Sequence, residues 1–123
     1  MFHAHPVRLL LCALVFTTGL SAVVPAETVE LAPLAKAINA VGPHGAGHRE
    51  AMAAWAKLSQ VEAARLPEVL AGMDGANRLS VNWLRGAVET IAQRQLDRGA
   101  PLPIAALEAF LTDTSHAPLA RWC

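Results

Sequence analysis

The sequence predicts an all-α fold. Apolar residues recur at steps of three and four in several segments, which is the period of an amphipathic helix. Residues that begin and end helices flank these segments. After residue 26, no stretch carries the alternation of apolar and polar residues that is typical of a half-buried strand. We therefore expect a single small helical domain without a sheet.

The first 26 of the 123 residues have the pattern of an export signal. Arg8 precedes an apolar run from Leu9 to Val24, and the small residues that a signal peptidase recognises follow at Val24-Pro25-Ala26. The run is shorter than the roughly 20 residues that span a bilayer. We expect cleavage after Ala26, a periplasmic or extracellular mature chain, and no membrane association after cleavage. The alternative is that the leader stays as an uncleaved anchor.

Charge and cysteine content limit the partners and bonds of the mature chain. Without Arg8, nine Lys and Arg residues stand against ten Asp and Glu residues, which gives a net charge of −1. Because no basic field results, nucleic acid is not expected as a partner. Cys12 lies in the leader and Cys123 is the other cysteine, so no disulfide can form within the mature domain. Helix packing or a partner must stabilise this domain.

Two helices are predicted between the leader and residue 58. The first covers about 30–41 and ends at Gly42-Pro43, with one apolar face formed by Leu31, Leu34, Ala35, Ile38 and Val41. A glycine-rich loop then leads to a helix over 48–58, whose shared face is formed by Ala51, Met52, Trp55 and Leu58. Both helices are expected to bury these faces.

The middle of the chain is predicted to form two short helical pieces. Ser59 and Glu62 have the spacing of a capping box, so we expect a helix from Gln60 to about Leu66. Pro67 interrupts that helix and opens a second piece over 67–73, because proline is tolerated at the first helical position. A turn at 74–75 follows.

The strongest helical pattern covers 78–98. Asn77 is placed as its N-cap, and Gly99 and Pro101 end it. The inward stripe is formed by Val81, Leu84, Ala87, Val88, Ile91 and Leu96. The opposite, polar face is formed by Asn82, Arg85, Glu89, Gln93 and Asp97.

The pattern predicts one complete and one incomplete helix after residue 100. Pro103 opens a helix to about 112, whose inward residues are Ile104, Leu107, Phe110 and Leu111. Thr114 or Ser115 is expected to cap a further helix that begins near Ala117. The apolar face of that helix does not complete, so an uncovered flank is expected at Phe110, Leu111, Leu119 and Trp122.

A repeat architecture is suggested by the spacing of Pro33, Pro67 and Pro101, which recur every 34 residues as helix-pair repeats do. The local motifs are Gly42-Pro43-x-Gly45-Ala46-Gly47, Leu66-Pro67, Met73-Asp74-Gly75-Ala76-Asn77, Asn82-Trp83-Leu84-Arg85 and Asp113-Thr114-Ser115-His116. With these motifs, residues 31–122 resemble the N-terminal part of large exported bacterial proteins of the HEAT-repeat-like class.

This resemblance implies short antiparallel helix pairs of an α-solenoid. It also implies that missing C-terminal repeats, or a protein partner, cover the apolar flank. It supplies no chemistry that can be assigned to residues. The chain departs from the family pattern at Arg78, where a proline is expected after Asn77.

Two groups of residues have the composition of a catalytic or metal site. His44 and His48 are four residues apart, with Glu50 nearby, but Gly45 and Gly47 make this a flexible loop rather than a ligand-bearing helix. Asp113, Ser115 and His116 supply the residue types of an acyl-transfer triad, yet neighbours in one turn do not reach triad geometry. We predict no catalytic residue, no metal and no cofactor.

The densest polar patch surrounds the start of the long helix. Asp74, Asn77, Asn82 and Arg85 are candidate partner-binding residues, although turn and cap roles also explain Asp74 and Asn77. The three tryptophans are expected to fill space between helices. The sequence thus favours an exported, non-enzymatic module for protein interaction or structural support. The alternative is the N-terminal part of an exported enzyme, such as a metal-dependent hydrolase that uses His44 and His48.

Overall fold

A computed structural model describes residues 28–123, and the predicted leader lies outside the described residues. This part of the chain contains six α-helices and no strand: α1 Leu31–Asn39, α2 His48–Leu58, α3 Leu66–Ala71, α4 Arg78–Asp97, α5 Ile104–Thr112 and α6 Pro118–Arg121. Short 3₁₀ turns at Pro43–Gly45 and Ala63–Arg65 precede α2 and α3. The predicted all-α class is confirmed. Within residues 28–123, no helix has the length and apolar character needed to cross a membrane.

The core is shared by the first four helices. α1 packs against α2, and α4 contacts α1, α2 and α3. α5 packs against α3, and α6 packs against α3 and α5. The most deeply buried side chains come from all of the first four helices and their connections: Ile38, Leu58, Leu66, Val69, Met73, Ser80, Leu84 and Ile91. The burial of Phe110 and Ala120 extends this cluster toward the C-terminal helices.

α4 ends as the sequence predicts. Gly99 has a φ of 67°, a left-handed conformation that costs glycine little because it lacks a Cβ atom. Its N–H donates to the carbonyl of Leu96 at 2.8 Å, and the N–H of Ala100 donates to the carbonyl of Gln95 at 3.2 Å. This pair of bonds is the Schellman arrangement, which satisfies carbonyls at the end of a helix.

The capping box predicted at Ser59 and Glu62 is wrong. Ser59 instead ends α2, and its N–H donates to the carbonyl of Trp55 at 2.8 Å. The guanidinium of Arg94, on α4, donates to the carbonyls of Ser59 and Val61. The Ser59 hydroxyl donates to the carbonyl of Ala56 at 3.2 Å, and Glu62 has extended backbone angles, so no helix continues from residue 60. Only the second 3₁₀ turn forms there.

Four apolar side chains predicted to face the core are exposed: Met52, Leu96, Ile104 and Leu111. Leu96, in the last turn of the 20-residue helix α4, is 54% exposed. Met52 is 55% exposed because α2 packs against the core through Ala51 and Ala54. Ile104 and Leu111 border a groove described below.

The three prolines with 34-residue spacing do not occupy equivalent places. Pro33 is the third residue of α1, Pro67 is the second residue of α3, and Pro101 lies outside a helix. The spacing therefore does not mark a repeated structural position in this chain.

Candidate functional site

Asp74, the first candidate partner-binding residue, connects two distant loops. Its Oδ2 lies 2.6 Å from Nδ1 of His116, and its Oδ1 accepts the backbone N–H of Ala117 at 2.7 Å. Ala117 immediately precedes α6, so a carboxylate from another part of the chain satisfies this helix start. The predicted cap at Thr114 or Ser115 is wrong for this reason.

The His116 ring lies close to three side chains, those of Asp74, Phe110 and Asp113. Besides the contact with Asp74, its ring stacks on Phe110 with a centroid distance of 4.2 Å and an interplanar angle of 25°. Its Nε2 lies 3.8 Å from Oδ2 of Asp113. The contacts fix the loop between α5 and α6 against the turn that precedes α4.

Ser115 and Asp113 form a local turn rather than a catalytic pair. One carboxylate oxygen, Asp113 Oδ1, accepts the Ser115 hydroxyl at 2.6 Å and the Ser115 N–H at 2.9 Å. The hydroxyl bond, followed by the backbone bond, holds the pKa of Asp113 below its usual value. Since the hydroxyl donates to a carboxylate and not to His116, this geometry gives Ser115 no general base.

Asn77 is the N-cap of α4, as predicted. Its Oδ1 accepts the N–H groups of Leu79 at 2.9 Å and Ser80 at 3.0 Å. Its Nδ2 donates to the carbonyl of Val41 at 2.9 Å, which ties the start of α4 to the segment after α1. Donor and acceptor of this side chain are thus both used within the fold.

We expect Asn77→Ala to lower the free energy of unfolding by about 1–2 kcal/mol, the upper range for loss of an N-cap, because the bond to Val41 is lost as well. The matched control is Asn82→Ala on the exposed face of the same helix, which should change it by less than about 0.5 kcal/mol. Urea titration measures both. Indistinguishable midpoints for the two variants would contradict the cap.

Asn82 and Arg85 lie within α4, and all four candidate residues are exposed. Among residues 28–123, the side chains of Asn82 and Arg85 make no hydrogen bond or ion pair, unlike those of Asp74 and Asn77. They border a shallow groove of about 390 Å³ that is lined by Arg78, Leu79, Val81, Asn82, Arg85 and Leu119. The predicted patch therefore contains two residues whose side chains bond within the fold, Asp74 and Asn77, and two whose side chains do not.

The two candidate metal ligands, His44 and His48, lie in different elements. His44 is exposed in the first 3₁₀ turn with a φ of 56°. His48 begins α2, and its ring meets the ring of Trp83 edge-on with a centroid distance of 5.1 Å. In the described range, no three His, Cys, Asp or Glu residues come together in a group that could hold a metal ion.

An apolar groove of about 450 Å³ lies where α5 and α6 meet α3 and α4. Its apolar lining is Leu66, Leu70, Val88, Ala92, Leu102, Ile104, Leu107, Phe110, Leu111, Ala120 and Trp122. Trp122, 73% exposed, stands at the rim. We use the name α5–α6 face for this groove together with the side chains of Ile104, Leu107, Leu111 and Trp122. Of the four residues predicted to form an uncovered flank, Leu111, Leu119 and Trp122 are exposed and Phe110 is buried.

The tryptophans do not share one environment. Trp55 is partly buried, and its Nε1–H donates to the backbone carbonyl of Trp83 at 3.1 Å, which joins α2 to α4. Trp83 is also partly buried. The expectation of a space-filling role holds for these two residues and is wrong for Trp122.

Sequence reasoning missed the roles of Arg94 and His116. Arg94 donates to backbone carbonyls 33 and 35 residues away. A sequence motif does not indicate these acceptors, because every residue has a backbone carbonyl. His116 pairs with a carboxylate 42 residues away. Both contacts depend on how distant segments pack.

Comparisons of the chain with family models, with curated proteins and with solved structures found no match. The resemblance to HEAT-repeat-like proteins therefore stays a prediction from the sequence.

Proposed function

We propose that this chain is an exported helical-repeat module for protein interaction or structural support, without catalytic activity of its own. The observation that carries the proposal is the α5–α6 face, where a groove of about 450 Å³ is bordered by a tryptophan that is 73% exposed. Contiguous apolar surface of this kind is typical of sites of protein contact. A large aromatic residue beside a groove is a common anchor in such contacts.

A helical occupant suits this face best. α5 has nine residues, about 13 Å at 1.5 Å per residue, whereas α6 has only four and covers a small part of it. The side chains that remain uncovered belong to helices, and rows of helical side chains accept those of another helix. Helical repeats bury such faces by stacking on their neighbours. Further repeats or a helical partner protein would therefore cover the α5–α6 face, in agreement with the resemblance to HEAT-repeat-like proteins.

Export is the second part of the proposal, and the sequence of the leader supports it. Arg8, the apolar run and the small residues before Glu27 are the features of a cleavable signal. Mass spectrometry of the chain from an exporting host should give a product that begins at Glu27. An intact chain confined to the cytoplasm would contradict export.

Site-specific photo-crosslinking tests the interaction role. A photoreactive amino acid replaces Trp122 in one variant of the full chain and Met52 in the other, since Met52 is an exposed apolar residue on a different helix. In producing cells, the variant at position 122 should give an adduct of discrete mass that the variant at position 52 does not give. Identical patterns at both positions, or no adduct at position 122, would contradict the proposal.

A further inference from the structure

A second surface, on α4, carries positive charge beside apolar residues. Arg78, Asn82 and Arg85 are spaced by four and three residues, so they lie on one side of the helix. The two arginines are about 10 Å apart along the helix axis, at 1.5 Å per residue. Leu79 and Leu119, 45% and 55% exposed, border the same groove. We call the three polar residues the arginine stripe.

Neither arginine of the arginine stripe forms an ion pair with a described residue, although Glu89 lies one turn after Arg85 on the same face of α4. In the described range, no carboxylate lies within ion-pair distance of Arg78 or Arg85. Asp74, the acidic residue that precedes α4, is occupied by His116 and by the N–H of Ala117.

The position of Arg78 strengthens this field. It is the first residue of α4, whose first turn contains no acidic residue. A cation there adds to the positive end of the helix dipole, which is an unfavourable placement for stability. Arg78 therefore adds positive charge at this end of α4 without stabilising the helix through its dipole.

We propose that the arginine stripe binds an acidic segment of a protein partner. Two carboxylates of that segment pair with Arg78 and Arg85, and an apolar side chain between them rests on Leu79 or Leu119. Guanidinium groups suit this role because they bind carboxylates in a bidentate geometry. The inference rests on the proposed role as an interaction module, but it uses residues that lie outside the α5–α6 face.

A protein segment fits this surface better than nucleic acid or a lipid surface. Two arginines neutralise few phosphates, whereas nucleic-acid affinity depends on many. Recognition of anionic lipid typically uses clusters of about four to eight basic residues. The exposed leucines beside the stripe match a segment that combines acidic and apolar residues.

Selection from a displayed library of random dodecapeptides on the immobilised full chain tests the proposal. Enriched peptides should combine at least two Asp or Glu residues with an apolar residue. The double variant Arg78→Glu/Arg85→Glu should weaken their binding at least tenfold in fluorescence anisotropy. The matched control Arg49→Glu/Arg98→Glu changes the charge by the same amount at exposed positions elsewhere and should weaken it less than twofold.

Several outcomes would overturn the inference. These are the absence of enriched peptides, enrichment of peptides without acidic residues, and equal losses in the two double variants. Binding of an oligonucleotide or of phosphatidylserine vesicles that is tighter than peptide binding and depends on Arg78 and Arg85 would also overturn it. Crosslinking from position 122 should be unchanged in the Arg78→Glu/Arg85→Glu variant, so failure of this inference can be separated from failure of the proposed function.

Discussion

Leu84→Ala is expected to lower the free energy of unfolding by about 2–5 kcal/mol, the range for emptying a fully buried leucine site. Leu84 has no exposed surface and lies on the side of α4 that meets the other core helices. A domain is typically stable by about 5–15 kcal/mol, so the loss is a large share of the total. Urea titration of the full chain, followed by circular dichroism, measures it.

The matched control is Leu96→Ala, the same substitution on the same helix. Leu96 is 54% exposed and should change the free energy of unfolding by less than about 0.5 kcal/mol. The apolar pattern places both leucines in one inward stripe, whereas the structure buries only Leu84. Comparable losses from the two variants would show that the buried face of α4 has been assigned wrongly.

Arg94→Met is expected to cost about 1.5–3 kcal/mol, the range for hydrogen bonds that involve a charged group. The substitution retains an unbranched side chain but removes both bonds from the guanidinium to the carbonyls of Ser59 and Val61. Ser59 and Val61 are buried, so replacement of these bonds by water is restricted. The same urea titration measures the loss.

Two further variants show whether the loss of stability comes from the two Arg94 hydrogen bonds or from the removal of a charge. Arg98→Met removes the same charge from an exposed position one turn later on the chain and should change stability by less than about 0.5 kcal/mol. Arg94→Lys should recover only part of the loss, because a lysine ammonium lacks the planar fork that reaches two carbonyls. If the urea midpoint of Arg94→Met equals that of the wild type, the stabilising role of the two Arg94 hydrogen bonds is contradicted.

The bounds of α4 were predictable because its signals are local. Asn77 caps the two N–H groups that follow it, and Gly99 adopts the left-handed conformation that closes the helix. Each signal acts within a few residues, so it can be recognised in the sequence without knowledge of the fold. The inward position of Leu84 follows from helical periodicity in the same way.

The segment after Ser59 was not predictable because its structure depends on a distant residue. The spacing of Ser59 and Glu62 satisfies the local pattern of a capping box, but Arg94 binds the carbonyls of Ser59 and Val61. Periodicity also fails at Leu96, where the stripe continues although no neighbouring helix covers it. Both errors arise from tertiary packing, which a local pattern does not contain.

The candidate site was predictable in part. The sequence marks Asp74, Asn77, Asn82 and Arg85 as one patch, and all four do lie around the start of α4. It also assigns a turn role to Asp74 and a cap role to Asn77, and the cap role is confirmed. It does not indicate that these side chains also bind His116 and the carbonyl of Val41, which are far from the patch in sequence.

We expect the α5–α6 face to be uncovered in the isolated chain and free to bind. Fluorine NMR of the chain labelled with 5-fluorotryptophan tests it directly, with the Trp122 signal assigned by Trp122→Phe. In a sample shown to be monomeric by sedimentation, the Trp122 signal should shift most between H₂O and D₂O, and those of Trp55 and Trp83 should shift less. A Trp122 signal as insensitive to solvent as the other two would mean that the chain covers this face itself, which contradicts the account.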